Sequence, residues 1–123
     1  MSNDRRRKLG DTGEQLAAEH LIRRGFQILD RNFRTRWGEL DIVATDGHAL
    51  VFCEVKTRIA RPGRDPLESV HQRKRAQVRR MAGRWLAERQ DRPRANELRF
   101  DAIGITLGTD GRLVRLEHLE GAF

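Results

Sequence analysis

The sequence predicts an α/β protein with a mixed central β-sheet of about five strands, flanked by helices in the order αβββαββ. Two observations predict this class. Apolar residues recur at helical spacing in two segments and at strand spacing in five others, and glycine, proline and Asp-Gly positions separate these segments. The length of 123 residues suits one domain with a single core. We therefore expect a single α/β domain.

The first predicted element is a helix that ends at Gly25. Thr12 and Gln15 have the spacing of a capping box, and the segment that follows is rich in Ala, Leu and Glu. Residues 1–10 are polar and basic, which predicts a flexible arm that either lies on a phosphate backbone or only aids solubility. The folded domain is accordingly expected over residues 11–123.

The remaining elements follow from local patterns. Apolar residues at helical spacing predict a long second helix over 67–90, after a proline-containing loop over 61–66. Strands are predicted over 26–32, over the two halves of 38–58, and over 98–107 and 112–119, the last two joined by a turn at 108–111.

The stretch GELDIVATDGHALVFCEVKTR, residues 38–58, contains charged residues within apolar runs. Asp46-Gly47 predicts a two-residue type I′ turn, which opposes Asp41 to Phe52 and Glu39 to Glu54. Side chains alternate along a strand. One face should then carry Glu39, Asp41, Val43, Leu50, Phe52, Glu54 and Lys56, and the other Leu40, Ile42, Val51, Cys53 and Val55.

Carboxylates gathered on one strand face repel each other unless a cation lies among them. Lys56 supplies one positive charge, and a divalent metal would supply two more. Hard oxygen ligands without thiolate or imidazole favour Mg²⁺ or Mn²⁺. Glu14 lies on the apolar face of the first helix with Ala17, Ala18 and Leu21, where it is either a partner of the helix dipole or a ligand. Ordinary surface ion pairs are the alternative to a metal site.

The net charge of +7 is concentrated in one segment. Residues 58–94 contain 12 basic and 4 acidic residues. This predicts a polyanionic partner, nucleic acid before anionic membrane. On the second helix Arg73, Arg75, Arg79, Arg80 and Arg84 should face solvent or phosphate, while Lys74 and Gln77 either reach toward the carboxylates or a phosphate or extend into solvent. Trp37 is either a platform for base stacking or part of the core.

Cysteine and histidine positions exclude several classes of site. Cys53 is the only cysteine, so neither an intramolecular disulfide nor a multi-cysteine zinc site can form. The four histidines are scattered. Because no signal peptide or membrane-spanning run is present in the sequence, we expect a cytoplasmic protein that does not bind membranes.

Asp41 followed by Glu54-Val55-Lys56 across a hairpin resembles the signature of PD-(D/E)XK nucleases. Taken with Gly13-Glu14, Asn32-x-Arg34, Gly38-Glu39-Leu40-Asp41 and Arg99-Phe100-Asp101, the chain resembles the YraN-like family of uncharacterised bacterial proteins, whose layout is similar to that of Holliday-junction resolvases. The resemblance extends from about residue 9 to residue 119.

The resemblance implies a restriction-endonuclease-like core and a role for each matching residue. Asp41, Glu54 and the backbone carbonyl of Val55 would bind Mg²⁺ or Mn²⁺. Lys56 would orient the attacking water or steady developing charge, and Glu14 would be the fourth catalytic residue. Glu39 is either an outer carboxylate or an ordinary strand residue, and Arg34 of the matching Asn32-x-Arg34 motif either supports the metal-binding residues from outside or binds phosphate.

Three functions remain open from the sequence. The first is a metal-dependent nuclease that acts on DNA, including branched or irregular DNA. The second is a non-catalytic nucleic-acid-binding protein that retains the nuclease fold. The third is a basic protein that docks on an acidic protein. A homodimer would fit a nuclease that cuts two strands.

Overall fold

The computed structural model of the protein describes residues 3–61 and 72–123. Its helices and strands follow the predicted order, with these bounds: α1 Asn3–Arg23, β1 Gln27–Thr35, β2 Gly38–Thr45, β3 Ala49–Ile59, α2 Gln72–Glu88, β4 Glu97–Leu107 and β5 Leu113–Leu119. The strands form one five-stranded sheet in the order β1-β2-β3-β4-β5. Only β3 and β4 pair in parallel, and α2 lies in the crossover between them. The predicted mixed α/β sheet is confirmed.

The sheet has a buried cluster on each face. The cluster that includes residues of α1 contains Ala17, Ala18, Leu21, Phe26, Ile42, Ala44, Ala49, Val51, Cys53, Ile103, Ile105 and Leu107. The cluster that includes residues of α2 contains Phe33, Leu40, Val43, Leu50, Phe52, Val78, Met81, Ala82, Trp85, Phe100, Ala102 and Phe123. The α1 side uses small helix residues, and a Cβ at Gly13 would overlap the side chain of Thr57 on β3. This close approach holds α1 against β3.

The N-terminal segment differs from the predicted arm. Residues 3–10 continue α1, so the helix begins at Asn3 and not at Thr12. Arginine and lysine are good helix formers, and a single glycine at position 10 is tolerated inside a helix. Gln15 does not complete a capping box, because its amide donates to Glu19 and accepts from Arg31 of β1.

The apolar stripe predicted for the second helix is confirmed in the described residues, because Val78, Met81 and Trp85 are buried. The first part of the predicted helix, including Val70, and the predicted loop after Arg61 lie outside the described residues. None of the described helices is both long enough and apolar enough to cross a membrane.

The β2–β3 connection is wider than the predicted two-residue turn. Val43 pairs with Phe52 and Thr45 with Leu50, so the register differs by two residues from the prediction. The Asp46 carboxylate accepts the backbone N–H groups of His48 and Ala49 at 2.9 and 2.8 Å. Of the turn residues only Gly47 has positive φ, which rules out type I′. The shift is even, so residues opposed across the strands keep their predicted faces.

Candidate active site

The candidate site lies where β2 and β3 stop pairing. Their last paired residues are Ile42 and Cys53, and the next residues on the two strands are Asp41 and Glu54. Oδ2 of Asp41 accepts the backbone N–H of Val55 at 2.7 Å. The Asp41 side chain thus takes the place of a backbone partner at the opening between the strands. The predicted pairing of Asp41 with Phe52 and of Glu39 with Glu54 was wrong, and the actual register brings Asp41 beside Glu54.

A break in side-chain alternation precedes this opening. Leu40 and Val43 both pack against α2, while Ile42 packs against α1. Residues 40 and 43 cannot share a face of a regular strand, so the alternation slips by one position at Asp41. The predicted placement of Leu40 on the face of Ile42 was therefore wrong.

The neighbouring strand is irregular at the matching position. Asn32 of β1 has a φ of 55°, and it is left out of the pairing between Arg31–Ile42 and Phe33–Leu40. Its side chain hydrogen-bonds to Glu14 of α1. Asparagine adopts this conformation more readily than most residues. The Asn32 side chain thus links the Glu14 carboxylate of α1 to the irregular part of β1 and β2, beside the point where β2 and β3 stop pairing.

Burial and neighbouring carboxylates determine the electrostatics of Asp41. Burial, followed by the neighbouring carboxylates of Glu54, Glu14 and Glu39, raises the pKa of Asp41 to about 8, although the hydrogen bond from Val55 acts in the opposite direction. Burial, with Glu39, also raises the pKa of Glu14, against the hydrogen bond from Asn32. Asp41 and Glu54 are 5% and 8% exposed, so water screens these charges weakly.

A groove of about 640 Å³ opens over these carboxylates. Its acidic lining residues are Glu14, Glu39, Asp41 and Glu54, and its basic lining residues are Arg6, Lys56, Arg58 and Arg61. The geometry therefore brings together all four residues predicted to be catalytic, Glu14, Asp41, Glu54 and Lys56, with Val55 between the last two. Negative charge lies at the base of the groove, and basic side chains stand around it.

Whether this site could bind a metal ion depends on the atoms that its residues offer as ligands. The described residues, 3–61 and 72–123, contain no group of three or more acidic, histidine or cysteine side chains placed to hold a metal. The chemistry of the site itself suits a hard cation, since Asp41, Glu54 and the Val55 carbonyl offer only oxygen. Burial, followed by the neighbouring carboxylates, raises the pKa of Asp41, and a bound cation would act in the opposite direction. Two carboxylates and a carbonyl fit Mg²⁺ or Mn²⁺, and a three-carboxylate cage is not present in these residues.

Comparison with known proteins identifies the family. The model of the uncharacterised protein family UPF0102 matches residues 13–105. The chain belongs to the UPF0102 family. It is 51% identical to a UPF0102 protein of Frankia casuarinae over 94% of this chain and 95% of the relative. A UPF0102 protein of Acidothermus cellulolyticus is 46% identical over 96% and 95%, and one of Mycobacterium tuberculosis is 42% identical over 93% and 91%.

The family membership confirms the resemblance predicted from the motifs. The segment matched by the UPF0102 model contains Glu14, Asp41, Glu54 and Lys56 and begins after Arg6. Arg6 therefore lies in the groove but outside the matched segment.

Two of the predicted phosphate-binding residues occupy other contacts. Arg34 pairs with Glu39 at 3.1 Å on the exposed strand surface, which places Glu39 at the rim of the groove. The amide of Gln77 donates to the carbonyl of Trp37 at 3.0 Å, and so Gln77 fixes the β1–β2 turn. The backbone of Lys74 lies in α2, and its side chain is outside the described part of the chain.

The arginines of α2 divide into two groups. Arg75 and Arg79 donate to the carbonyls of Ala122 and Phe123 at 3.4 and 2.8 Å, which ties the helix to the segment after β5. Arg80 and Arg84 are exposed. The side chain of Arg73 is outside the described part of the chain. Arg79 was predicted to face away from the core, but its guanidinium covers the ring of Phe100 at 4.5 Å.

The sequence did not predict a place in the groove for Arg6, Arg58 and Arg61, nor the hydrogen bond from Asn32 to Glu14. A signal for Arg6 was present. Arg6, Gly10, Gly13 and Ala17 follow i, i+4, i+7 and i+11, which extends the packed stripe of α1 toward its N-terminus. The assumed helix start at Thr12 concealed this continuation.

Proposed function

We propose that this UPF0102 protein is a metal-dependent hydrolase of phosphodiester bonds in nucleic acid, with DNA as the first candidate substrate. The observation that carries the proposal is the buried Asp41–Glu54 pair at the opening between β2 and β3, in one groove with Lys56. Buried carboxylates placed side by side are costly in a fold, which is why such clusters are candidates for function.

The roles follow from the groove. Asp41, Glu54 and the Val55 carbonyl would hold Mg²⁺ or Mn²⁺, which when bound lowers the pKa of water and offsets charge on phosphate oxygens. The hydrogen bond from the Val55 N–H fixes the Asp41 carboxylate in position. The ammonium group of Lys56 would orient the attacking water or steady the charge that develops on the phosphate. Glu14 would be the fourth catalytic residue, and burial, followed by the charge of Glu39, raises its pKa.

The basic groove residues supply substrate binding. Arg6, Arg58 and Arg61 line the same groove as the carboxylates, where guanidinium groups suit two-point contacts with phosphate oxygens. These contacts carry no sequence information by themselves. The proposal is therefore a nuclease that recognises backbone and shape. If it cuts both strands of branched DNA, two such sites are needed and a homodimer is expected.

A non-catalytic nucleic-acid-binding protein is the second candidate. It is favoured by the finding that the described residues hold no three-carboxylate metal cluster. In that case the carboxylates would only shape the groove, and the arginines alone would carry binding.

A cleavage assay separates the two candidates. Duplex, single-stranded and four-way DNA and single-stranded RNA are incubated with Mg²⁺, Mn²⁺ or EDTA. Asp41→Asn and Glu54→Gln should abolish metal-dependent cleavage and preserve binding in EDTA, because each removes only one charge. Glu88→Gln, at an exposed position on α2, is the matched control and should cleave as the wild type does.

Cleavage that survives Asp41→Asn would exclude the proposed site. Binding without cleavage of any substrate in either metal would favour the second candidate.

A further inference from the structure

Trp37 is a large aromatic residue at the surface that the proposed chemistry does not use. It lies in the turn between β1 and β2, and it is 40% exposed, whereas Trp85 is 1% exposed. An indole is a large amphipathic surface that can bind a flat partner, and Trp37 lies two residues from Glu39, which lines the groove.

The backbone of Trp37 is held in place from both sides. Its N–H donates to Oγ1 of Thr35 at 3.1 Å, and its carbonyl accepts from the amide of Gln77 at 3.0 Å. The next residue, Gly38, has a φ of 147°, and a Cβ there would overlap the Gln77 side chain. These contacts fix the turn to α2, so the exposed ring sits on a rigid support.

Two arginines lie against the ring. The guanidinium carbons of Arg36 and Arg84 are 4.4 and 4.6 Å from its centroid. Both arginines are exposed, and Arg80, one helical turn before Arg84, adds a third exposed cation. Because both guanidinium groups lie over the ring, a ligand that fits this surface has a flat face that takes the place of one of them on the indole and negative charge that pairs with the displaced group. A nucleotide with an unpaired base has both properties.

The position relative to the carboxylates is also suitable. Trp37 precedes Asp41 by four residues along β2, a span of about 13 Å at the usual strand rise. The residue between them that lines the groove is Glu39. A strand of nucleic acid with one base on Trp37 would therefore reach the carboxylates within a few nucleotides.

We propose that Trp37, flanked by Arg36 and Arg84, stacks on an unpaired base of single-stranded nucleic acid and so directs the groove toward substrates with an unpaired segment near the cut. This inference rests on the proposed action on nucleic acid and specifies its substrate class. Base pairs inside an intact duplex present no free face, so the platform discriminates between paired and unpaired strands.

The test measures binding in EDTA, which separates it from cleavage. Labelled 12-nucleotide dT, its RNA equivalent, a blunt duplex, heparin and poly-glutamate are titrated with the wild type, Trp37→Ala and Trp37→Phe. Trp37→Ala should weaken binding of the single strands roughly 5- to 100-fold. It should change binding of the duplex and heparin by about twofold at most, and Trp37→Phe should retain most of the affinity. Arg112→Ala and Val114→Ala, both exposed and in or next to β5, are controls for lost charge and lost apolar area.

Fluorescence gives a second readout. In Trp85→Phe, Trp37 is the only indole, and dT should quench its emission while heparin and poly-glutamate do not. If Trp85→Phe fails to fold, acrylamide quenching of the wild type reports on the exposed indole, and dT should protect it. Equal losses for single strand, duplex and heparin, or quenching by poly-glutamate as strong as by dT, would overturn the inference. Every binding measurement contains EDTA, so a protein that cleaves no nucleic acid can still show the expected losses of binding. A nuclease without a stacking platform would cleave nucleic acid in the cleavage assay but would not show these losses.

Discussion

The replacement Asp41→Asn tests the charge of the candidate site without relying on a substrate. Asparagine can still accept the hydrogen bond from the Val55 N–H, which Asp41 accepts at 2.7 Å. The replacement therefore removes the ability to ionise and leaves the contact in place. In EDTA the variant should be more stable than the wild type near neutral pH.

The magnitude follows from the pKa of Asp41. Burial and neighbouring carboxylates raise it from an ordinary value of 3.8 to about 8. A carboxyl group with a raised pKa contributes stability fully below pH 3.8, and that contribution is lost as the pH rises through about 8. Each pH unit between these limits is worth about 1.4 kcal/mol. Between pH 5 and pH 7 the difference in free energy of unfolding should thus change by about 3 kcal/mol in favour of the variant. This corresponds to a change on the order of 10 °C in the difference between the two Tm values.

The assay is thermal unfolding of both proteins at pH 5 and pH 7, in EDTA and in Mn²⁺. Comparing the two pH values cancels any constant effect of the replacement on packing. Mn²⁺ should raise the Tm of the wild type at pH 7 and leave that of the variant nearly unchanged, since a ligand stabilises only the state that binds it. A Tm difference that is the same at both pH values, or equal stabilisation of both proteins by Mn²⁺, would refute the reasoning.

Three further replacements test the structure around the site. Burial, with His118 and nearby arginines, lowers the pKa of His20, so the wild type should lose stability as the pH falls below 6.5. His20→Gln should reduce that loss, as measured by urea unfolding at about pH 7.5 and about pH 5.5. Asp101→Asn removes a fully buried charge that accepts from His118 at 2.7 Å, and it should cost about 3–5 kcal/mol in the same assay. Gly13→Ala places a methyl group against Thr57, so it should cost about 1–3 kcal/mol and reduce any metal-dependent cleavage by moving α1. A neutral effect of Gly13→Ala would show that α1 does not pack closely on β3.

The element types could be predicted from the sequence because each depends on a local pattern. The apolar stripe of α2 and the turn at 108–111 appear where periodicity and glycines placed them. The start of α1 could not be predicted in the same way. Residues 3–10 contain few apolar residues, and their helical state depends on continuity with the packed part of α1. That continuity brings Arg6 to the groove.

The nearness of Asp41 and Glu54 could also be predicted, because it depends on the hairpin that pairs β2 with β3. An error of two residues in register leaves both residues at the same end of the paired strands, so their grouping survived the wrong turn. The wrong turn has a physical cause. The Asp46 side chain accepts two backbone N–H groups and closes a wider loop than backbone hydrogen bonds alone would select.

The opening between β2 and β3 could not be read from either strand by itself. It requires a slip in the alternation of side chains along β2 at Asp41 and the positive φ of Asn32 on β1. It also requires the Asp41 carboxylate to accept the Val55 N–H, which a backbone carbonyl would accept in a regular sheet. Each feature weakens a regular sheet, and together they place Asp41, Glu54 and Val55 in the lining of one groove. A sequence optimised only for sheet stability would continue the ladder with apolar residues here. The local loss of pairing, combined with buried like charges, is therefore the strongest structural reason to look for chemistry at this point of the fold.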